Sequence, residues 1–218
     1  MNNKLQFDAI YDIAVIGGGI AGVAAAIQAA RSGMKTALVE KTVLFGGLAT
    51  TGIINVYLPL CDGNGHQVSF GLTEELLRSS LLYGPGEIPE YWQNKKDAPE
   101  KERFRCIFSP ASFILAMDEM LENAGVEIWL DTLVCDAEVV NNQITGAICE
   151  NTSGRGRIRA KQFIDATGSS LFARRAGIDC HDEWNFLTAW ILAYDQNQPE
   201  TQLTPYVNIY VHGTPWDP

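Results

Sequence analysis

Tyr11-Asp12-Ile13-Ala14-Val15-Ile16-Gly17-Gly18-Gly19-Ile20-Ala21-Gly22 is the stretch on which the reading of this chain turns. An apolar, β-rich run ends in Gly17-x-Gly19-x-x-Gly22, and an Ala-rich helical run, Val23 to Arg31, follows directly. Strand, glycine turn and helix in that order make a dinucleotide-binding fingerprint. Gly17 permits the tight turn, Gly19 lets a pyrophosphate approach the backbone, and Gly22 lets the helix pack closely on the strand. The N–H groups of the first helical turn, at Ile20 and Ala21, and the positive end of the helix dipole then face the phosphates. A turn at Ser32-Gly33 leads into a second apolar strand, Thr36 to Val39, closed by Glu40. A carboxylate at that place accepts the ribose hydroxyls and repels a 2′-phosphate, which favours an unphosphorylated adenosine ribose.

The rest of the composition narrows the class. Across 218 residues, 46% are hydrophobic, enough for a sizeable core and too many for a disordered chain. Lys+Arg 16 against Asp+Glu 26 gives a net charge of −10, which sets the protein against nucleic acid and anionic membranes. No apolar run approaches the ~20 residues that cross a bilayer, and Met1 to Asp8 is polar, unlike a secretory signal. The five cysteines, Cys61, Cys106, Cys135, Cys149 and Cys180, are scattered and contain no C-x-x-C. That excludes a disulfide framework, a zinc ribbon and a dithiol redox centre, and a cytoplasmic setting is expected.

Beyond Glu40 the periodicity lapses over residues 41–71, then leucines at helical spacing predict a short amphipathic helix over 72–83. Gly84-Pro85-Gly86, Pro89 and Pro99, with charges between them, read as an exposed excursion. Ser109 as N-cap and Pro110 at the first position open a helix that ends at Asn123-Ala124-Gly125. Val126, Ile128 and Leu130 alternate as a third strand. From Thr132 to Arg159 the pattern is a β-meander: Leu133–Val140, Ile144–Glu150 and Arg157–Ala160, with turns between. A further strand, Lys161 to Asp165, ends in Asp165-Ala166-Thr167-Gly168, with a helix-like Leu171–Ala176 beyond it.

Glu40-Lys41 followed by Gly46-Gly47-Leu48-Ala49-Thr50 resembles the segment after the second strand in FAD-dependent oxidoreductases related to glutathione reductase. The similarity is greater still to the branch with the succinate dehydrogenase and fumarate reductase flavoproteins. Asp165-Ala166-Thr167-Gly168 resembles the second flavin-nucleotide motif of the same family, and the resemblance covers residues 10–177. It implies an α/β, Rossmann-like FAD/NAD(P)-binding domain with a parallel sheet and a β-meander insertion, then the start of a β-rich substrate domain. It implies FAD as cofactor. The Gly46–Thr50 loop then runs beside the pyrophosphate, ribityl chain and isoalloxazine, Val134 meets the adenine through its backbone, and Ala166, Thr167 and Gly168 pass the pyrophosphate. The domains expected are 1–180, with an excursion over 53–108, and 181–218 as the beginning of a substrate or cap domain. Relatives return to the FAD domain for a last glycine-containing element that is not visible here, so the 218 residues are expected to be an N-terminal, catalytically incomplete portion. Unpartnered strands after Leu187 would then favour self-association as a homo-oligomer.

No residue receives a catalytic assignment from sequence. Arg103 and Arg105 are candidates for a fork onto a substrate carboxylate, His66 for a group facing the ring, and His181 for metal binding, each weighed against an ordinary surface role. No metal is expected. Lys41 to Thr51 lacks the histidine that attaches flavin covalently in the succinate dehydrogenase branch, so noncovalent FAD is expected. The expected function is hydride transfer between a small organic substrate and FAD. A nicotinamide-dependent dehydrogenase would share the first forty residues, and a non-catalytic FAD-binding module would share all of the motifs.

Overall fold

The computed structural model describes residues 5–57, 60–84, 105–181, 188–189 and 210–211. The chain divides into two compact units, Met1–Cys180 and His181–Pro218. In the first, strand β1 (Asp8–Ile16), helix α1 (Ile20–Arg31) and strand β2 (Thr36–Val39) form the βαβ unit. A single 3₁₀ turn (Gly47–Ala49) follows, then a short strand β3 (Val56–Tyr57), helix α2 (Leu72–Ser79) and strand β4 (Cys106–Ile107). Helix α3 (Pro110–Ala124) starts at a Ser109 cap whose hydroxyl accepts from Ser112 N–H, and it ends at Gly125 in the left-handed region, φ 77°. Strand β5 (Glu127–Trp129) comes next, then β6 (Leu133–Val140), β7 (Gln143–Asn151), β8 (Gly154–Asp165) and helix α4 (Leu171–Arg175).

One six-stranded sheet in the order β5-β2-β1-β8-β7-β6 holds this unit together. β5, β2, β1 and β8 run parallel, while β7 and β6 run antiparallel from the flank of β8. The sheet differs from the sequence expectation at one place. The meander's last strand and the strand before Asp165-Ala166-Thr167-Gly168 are one element, the 12-residue β8. Nothing between Arg157 and Asp165 breaks a strand: there is neither Gly nor Pro. Each edge of β8 also has its own partner, with β7 alongside residues 154–159 and β1 alongside residues 157–165. The meander is therefore continuous with the main sheet rather than inserted beside it.

Strand alternation sends Val15 and Leu38 to one face, where they pack with Val23, Ala26 and Ile27 of α1, Leu76 and Leu77 of α2, and Phe113, Met117 and Leu121 of α3. Ala14, Ile16, Ala37 and Val39 point to the other face, against Val134, Ala147, Ile158 and Phe172. Gly22 is what lets α1 come down onto β1. A Cβ there would stand 1.8 Å from the Gly17 carbonyl oxygen, which no side chain tolerates.

In the second unit, strand β9 (Thr188–Ala189) pairs antiparallel with β10 (Tyr210–Val211). The strands expected after Leu187 to lack partners thus pair with each other at these four residues, and the residues around them are outside the described ones. So are Arg103 and most of the Pro-rich excursion.

Candidate functional site

The parallel strands place their C-terminal ends together, and the chain leaves β1, β2 and β8 there as three loops. Main-chain bonds lock these loops to one another. Gly17 N–H donates to the Val39 carbonyl at 2.8 Å, and Ala166 N–H donates to the Ile16 carbonyl at 2.8 Å. Gly46 N–H donates to the Gly18 carbonyl at 2.8 Å, and Gly19 and Gly46 form a parallel bridge. Gly46 takes φ 103°, and a Cβ on it would meet Thr50 and Met117 side-chain atoms at 2.5 and 2.7 Å. A Cβ on Gly47 would stand 3.3 Å from Gly19 Cα, so the glycine pair is what brings this loop close to the Gly17–Gly19 turn.

Between these loops runs a cavity of about 790 Å³, within the usual range for a small-molecule site. Gly17, Gly19, Ile20 and Ala21 form one wall, at the N-terminus of α1, where Gly19 provides no side-chain cap. The first-turn N–H groups therefore have no partner within the helix and suit an anion. Gly46, Gly47, Leu48 and Ala49 also line the cavity, as do Ala166, Thr167 and Gly168. A second, smaller cavity of about 70 Å³ is lined by Val39, Thr132, Leu133 and Val134. Both cavities share Gly17, Glu40, Lys41 and Thr167, so Glu40 and Lys41 stand at the junction.

Glu40 is held before any ligand arrives. Gly18 N–H donates to its Oε2 at 2.6 Å and Thr42 N–H to its Oε1 at 2.8 Å. Each carboxylate oxygen keeps a further lone pair for a hydroxyl. Asp165 plays a comparable part under the third loop. Thr167 N–H and Oγ1–H donate to its Oδ1 at 2.9 and 2.7 Å, and Ala173 N–H donates to its Oδ2 at 2.9 Å. Desolvation pushes the Asp165 pKa up, but these donors outweigh it and hold the carboxyl below its ordinary value.

Two residues expected at the site do not line either cavity. Gly22 serves the packing of α1 on β1 described above. Thr50 is buried, and its hydroxyl donates to the Phe45 carbonyl at 2.6 Å. Its neighbour Thr51 faces the cavity instead, bonding the Gly47 carbonyl at 3.0 Å. His66 is not at the cavity: its Nδ1 lies 3.0 Å from Asp62 Oδ2 in its own exposed loop. Donation from Asn64 N–H and then from His66 holds the Asp62 carboxyl at about 2. Arg105 and His181 are exposed and line neither cavity. Among the described residues no cluster of three or more His, Cys, Asp or Glu side chains could hold a metal.

The far end of the larger cavity contains what sequence reading missed: Ile54, Val56, Tyr57 and Phe108. Ile54 N–H donates to the Leu48 carbonyl at 2.9 Å, and Phe108 N–H to the Asn55 carbonyl at 3.0 Å. Ile53, just before Ile54, takes φ 59°, an unusual conformation for a β-branched residue. Tyr57, Phe108 and Phe113 form an aromatic group, with ring centroids 5.2 to 6.2 Å apart.

This arrangement fits a long, two-part ligand with an anionic middle. Its shorter end has room for a compact group, the α1 terminus suits an anion, and the longer arm is largely apolar. Residues 12–185 match the FAD dependent oxidoreductase family. The chain belongs to that family. FAD is accordingly its cofactor.

Three further proteins resemble the chain over much of its length. A digeranylgeranylglycerophospholipid reductase of Picrophilus torridus is 28% identical over 173 residues, covering 77% of this chain and 42% of the relative. A dihydrolipoyl dehydrogenase of Chlorobaculum parvum is 31% identical over 175 residues, covering 78% of this chain and 32% of the relative. A geranylgeranyl bacteriochlorophyll reductase-like protein of Thermoplasma acidophilum superimposes with TM-score 0.53 at 25% identity, covering 79% of this chain and 43% of that one. The chain thus spans less than half the length of these relatives. No helix among the described residues is long and apolar enough to cross a membrane.

Proposed function

We propose that this chain is the FAD-binding part of a flavin-dependent oxidoreductase that moves hydride between a small organic substrate and FAD held without a covalent bond. The observation that carries the reading is the convergence of Gly17–Ala21, Gly46–Ala49 and Ala166–Gly168 on one cavity with Glu40 at its junction. FAD supplies the hydride chemistry when bound, and the protein's part is to bind, orient and exclude water. The N–H groups of Ile20 and Ala21 hold the pyrophosphate, Glu40 takes the adenosine ribose, and Lys41 lies beside it. Val134 borders the adenine through its backbone. Gly46, Gly47, Leu48 and Ala49 follow the ribityl chain and ring, opposite Ala166, Thr167 and Gly168.

Residues 1–180 are read as the FAD domain, and residues 181–218 as the opening of a substrate or cap domain. An apolar reacting group on the substrate agrees with the apolar far end of the cavity. It also agrees with two relatives whose names carry geranylgeranyl groups. The −10 net charge supports a protein without a nucleic-acid partner.

Titration of the purified chain with FAD tests the reading, followed by absorbance in the flavin bands with NAD as the competing nucleotide. One FAD per chain, unmoved by NAD and released to the supernatant on acid precipitation, is the expected result. Failure to bind FAD, or yellow colour that stays with the precipitated polypeptide, would sink it.

A further inference from the structure

The chain's own contacts order the cavity from one end to the other. Gly19 touches the Gly46–Gly47 loop, Leu48 is bonded to Ile54, and Asn55 is bonded to Phe108. Charge follows that order. Glu40 and Lys41 stand at the nucleotide end, and they are the only charged side chains among the described residues that line the cavity. The opposite end has Leu48, Ile54, Val56, Phe108 and Tyr57, so its one polar side-chain atom among those five is a phenol oxygen.

We propose that the apolar end of the cavity is a subsite for a neutral hydrogen-bond acceptor of the carbonyl type, with Tyr57 Oη as its donor. The proposal rests on the FAD reading given above and deepens it. Three observations carry it. Tyr57 is half-buried and lines the cavity, fixed by β3–β4 pairing with Cys106 and by ring contacts to Phe108 and Phe113. Its hydroxyl has no hydrogen-bond partner among the described residues, in an environment where buried phenols ordinarily find one. The surroundings also keep it protonated: burial, and secondarily the nearby Cys106, raise the phenol pKa above its ordinary value. A neutral donor in an apolar wall selects a neutral acceptor, because a carboxylate brought there would be desolvated with no cation among the described residues of that wall to meet it.

Two acceptors share this chemistry, a ring carbonyl of the flavin and a carbonyl of the substrate. A paired titration of the full chain, wild type and Tyr57→Phe, separates them. FAD is titrated first. The FAD-loaded proteins are then titrated with cyclohex-2-enone as the neutral probe and cyclohexanecarboxylate as its charged counterpart, read from the flavin bands. If the flavin is the acceptor, Tyr57→Phe binds FAD several-fold more weakly and shifts its long-wavelength band. If the substrate is the acceptor, FAD binding is unchanged and the enone binds several-fold more weakly.

Either result supports the proposal. Unchanged binding of both FAD and enone overturns it, as does carboxylate binding as tight as that of the enone. A wild type that binds no FAD would count against the cofactor reading instead. The enone titration of the FAD-free chain, followed by the tyrosine ring signals in NMR, would then decide for or against Tyr57 on its own.

Discussion

At the end of the cavity next to α1 the wall is backbone, and at the end next to β3 and β4 it is side chain. Gly17, Gly19, Ile20 and Ala21 come from one contiguous turn. Their contribution is peptide N–H groups and the space that missing side chains leave. Tyr57 ends β3 and Phe108 directly follows β4, some fifty residues on, and they contribute ring faces and one hydroxyl. A backbone wall recognises what every dinucleotide shares, phosphate charge and a flexible linker. A side-chain wall can be altered one residue at a time without disturbing that recognition. The difference suggests a division of labour in which the nucleotide end fixes the cofactor and the aromatic end sets what meets it.

The comparison is most exposed at Gly22. Gly22→Ala forces a Cβ to 1.8 Å from the Gly17 carbonyl oxygen. Chemical denaturation should show a loss of about 3 kcal/mol or more, with FAD binding lost in the same variant. Preserved stability would mean that α1 can shift freely and that the backbone wall is not fixed. Next comes Glu40→Ala, which removes the acceptor for Gly18 and Thr42 N–H and, on the proposed reading, the one for the ribose. FAD affinity should fall by about 1.5–3 kcal/mol, roughly tenfold to a hundredfold, measured by flavin fluorescence titration. An unchanged Kd would take Glu40 out of the site.

Phe108→Leu probes the other end. It should lower stability by about 0.5–1.5 kcal/mol through lost ring contacts and leave FAD affinity nearly unchanged. A large drop in FAD affinity would erase the distinction between the two ends. The smallest effect concerns pH. The Asp165 carboxyl lies below its ordinary value in the folded protein, so its contribution is fully present above the unfolded pKa of about 3.9. That contribution is lost as pH falls through the lower folded value. The stability gap between wild type and Asp165→Asn should therefore be constant from neutral pH down to about pH 4 and close below that. A gap that instead closes between pH 5 and 7 would contradict the loop's hydrogen bonding.

Much of the nucleotide end was legible in the sequence because its signals are local. Strand, three glycines, helix, strand and acid lie within thirty residues, and each constrains the backbone by itself. The adjacent hydroxyls Thr50 and Thr51 mark where local reading stops. Which of the two faces the cavity depends on the Phe45 carbonyl, which claims Thr50. The aromatic end left no motif, since Tyr57 meets Cys106 and Phe108 only through a pairing that spans the excursion. His66 was a candidate by position in a glycine loop, but Asp62, four residues earlier, satisfies it locally. The meander was visible from its turns, while its fusion with the fourth parallel strand was not. A strand with different neighbours along its two edges looks, in one dimension, like two strands.

That fused strand has a consequence for how the protein is made. β8 lies between β1 and β7 at the middle of the sheet, yet it is the last strand of the sheet to be synthesised. Until it arrives, β1 has β2 on one side and an open edge on the other, with Val15 and Ile16 in the exposed register. At ~5–20 residues per second the ribosome takes roughly 6 to 25 seconds to travel from the end of β2 to the end of β8. For that interval the nascent chain carries an unpaired apolar edge, the kind of template that neighbouring chains can extend. The innermost pairing of the mature sheet is therefore also the step at which its newborn chains are most open to one another.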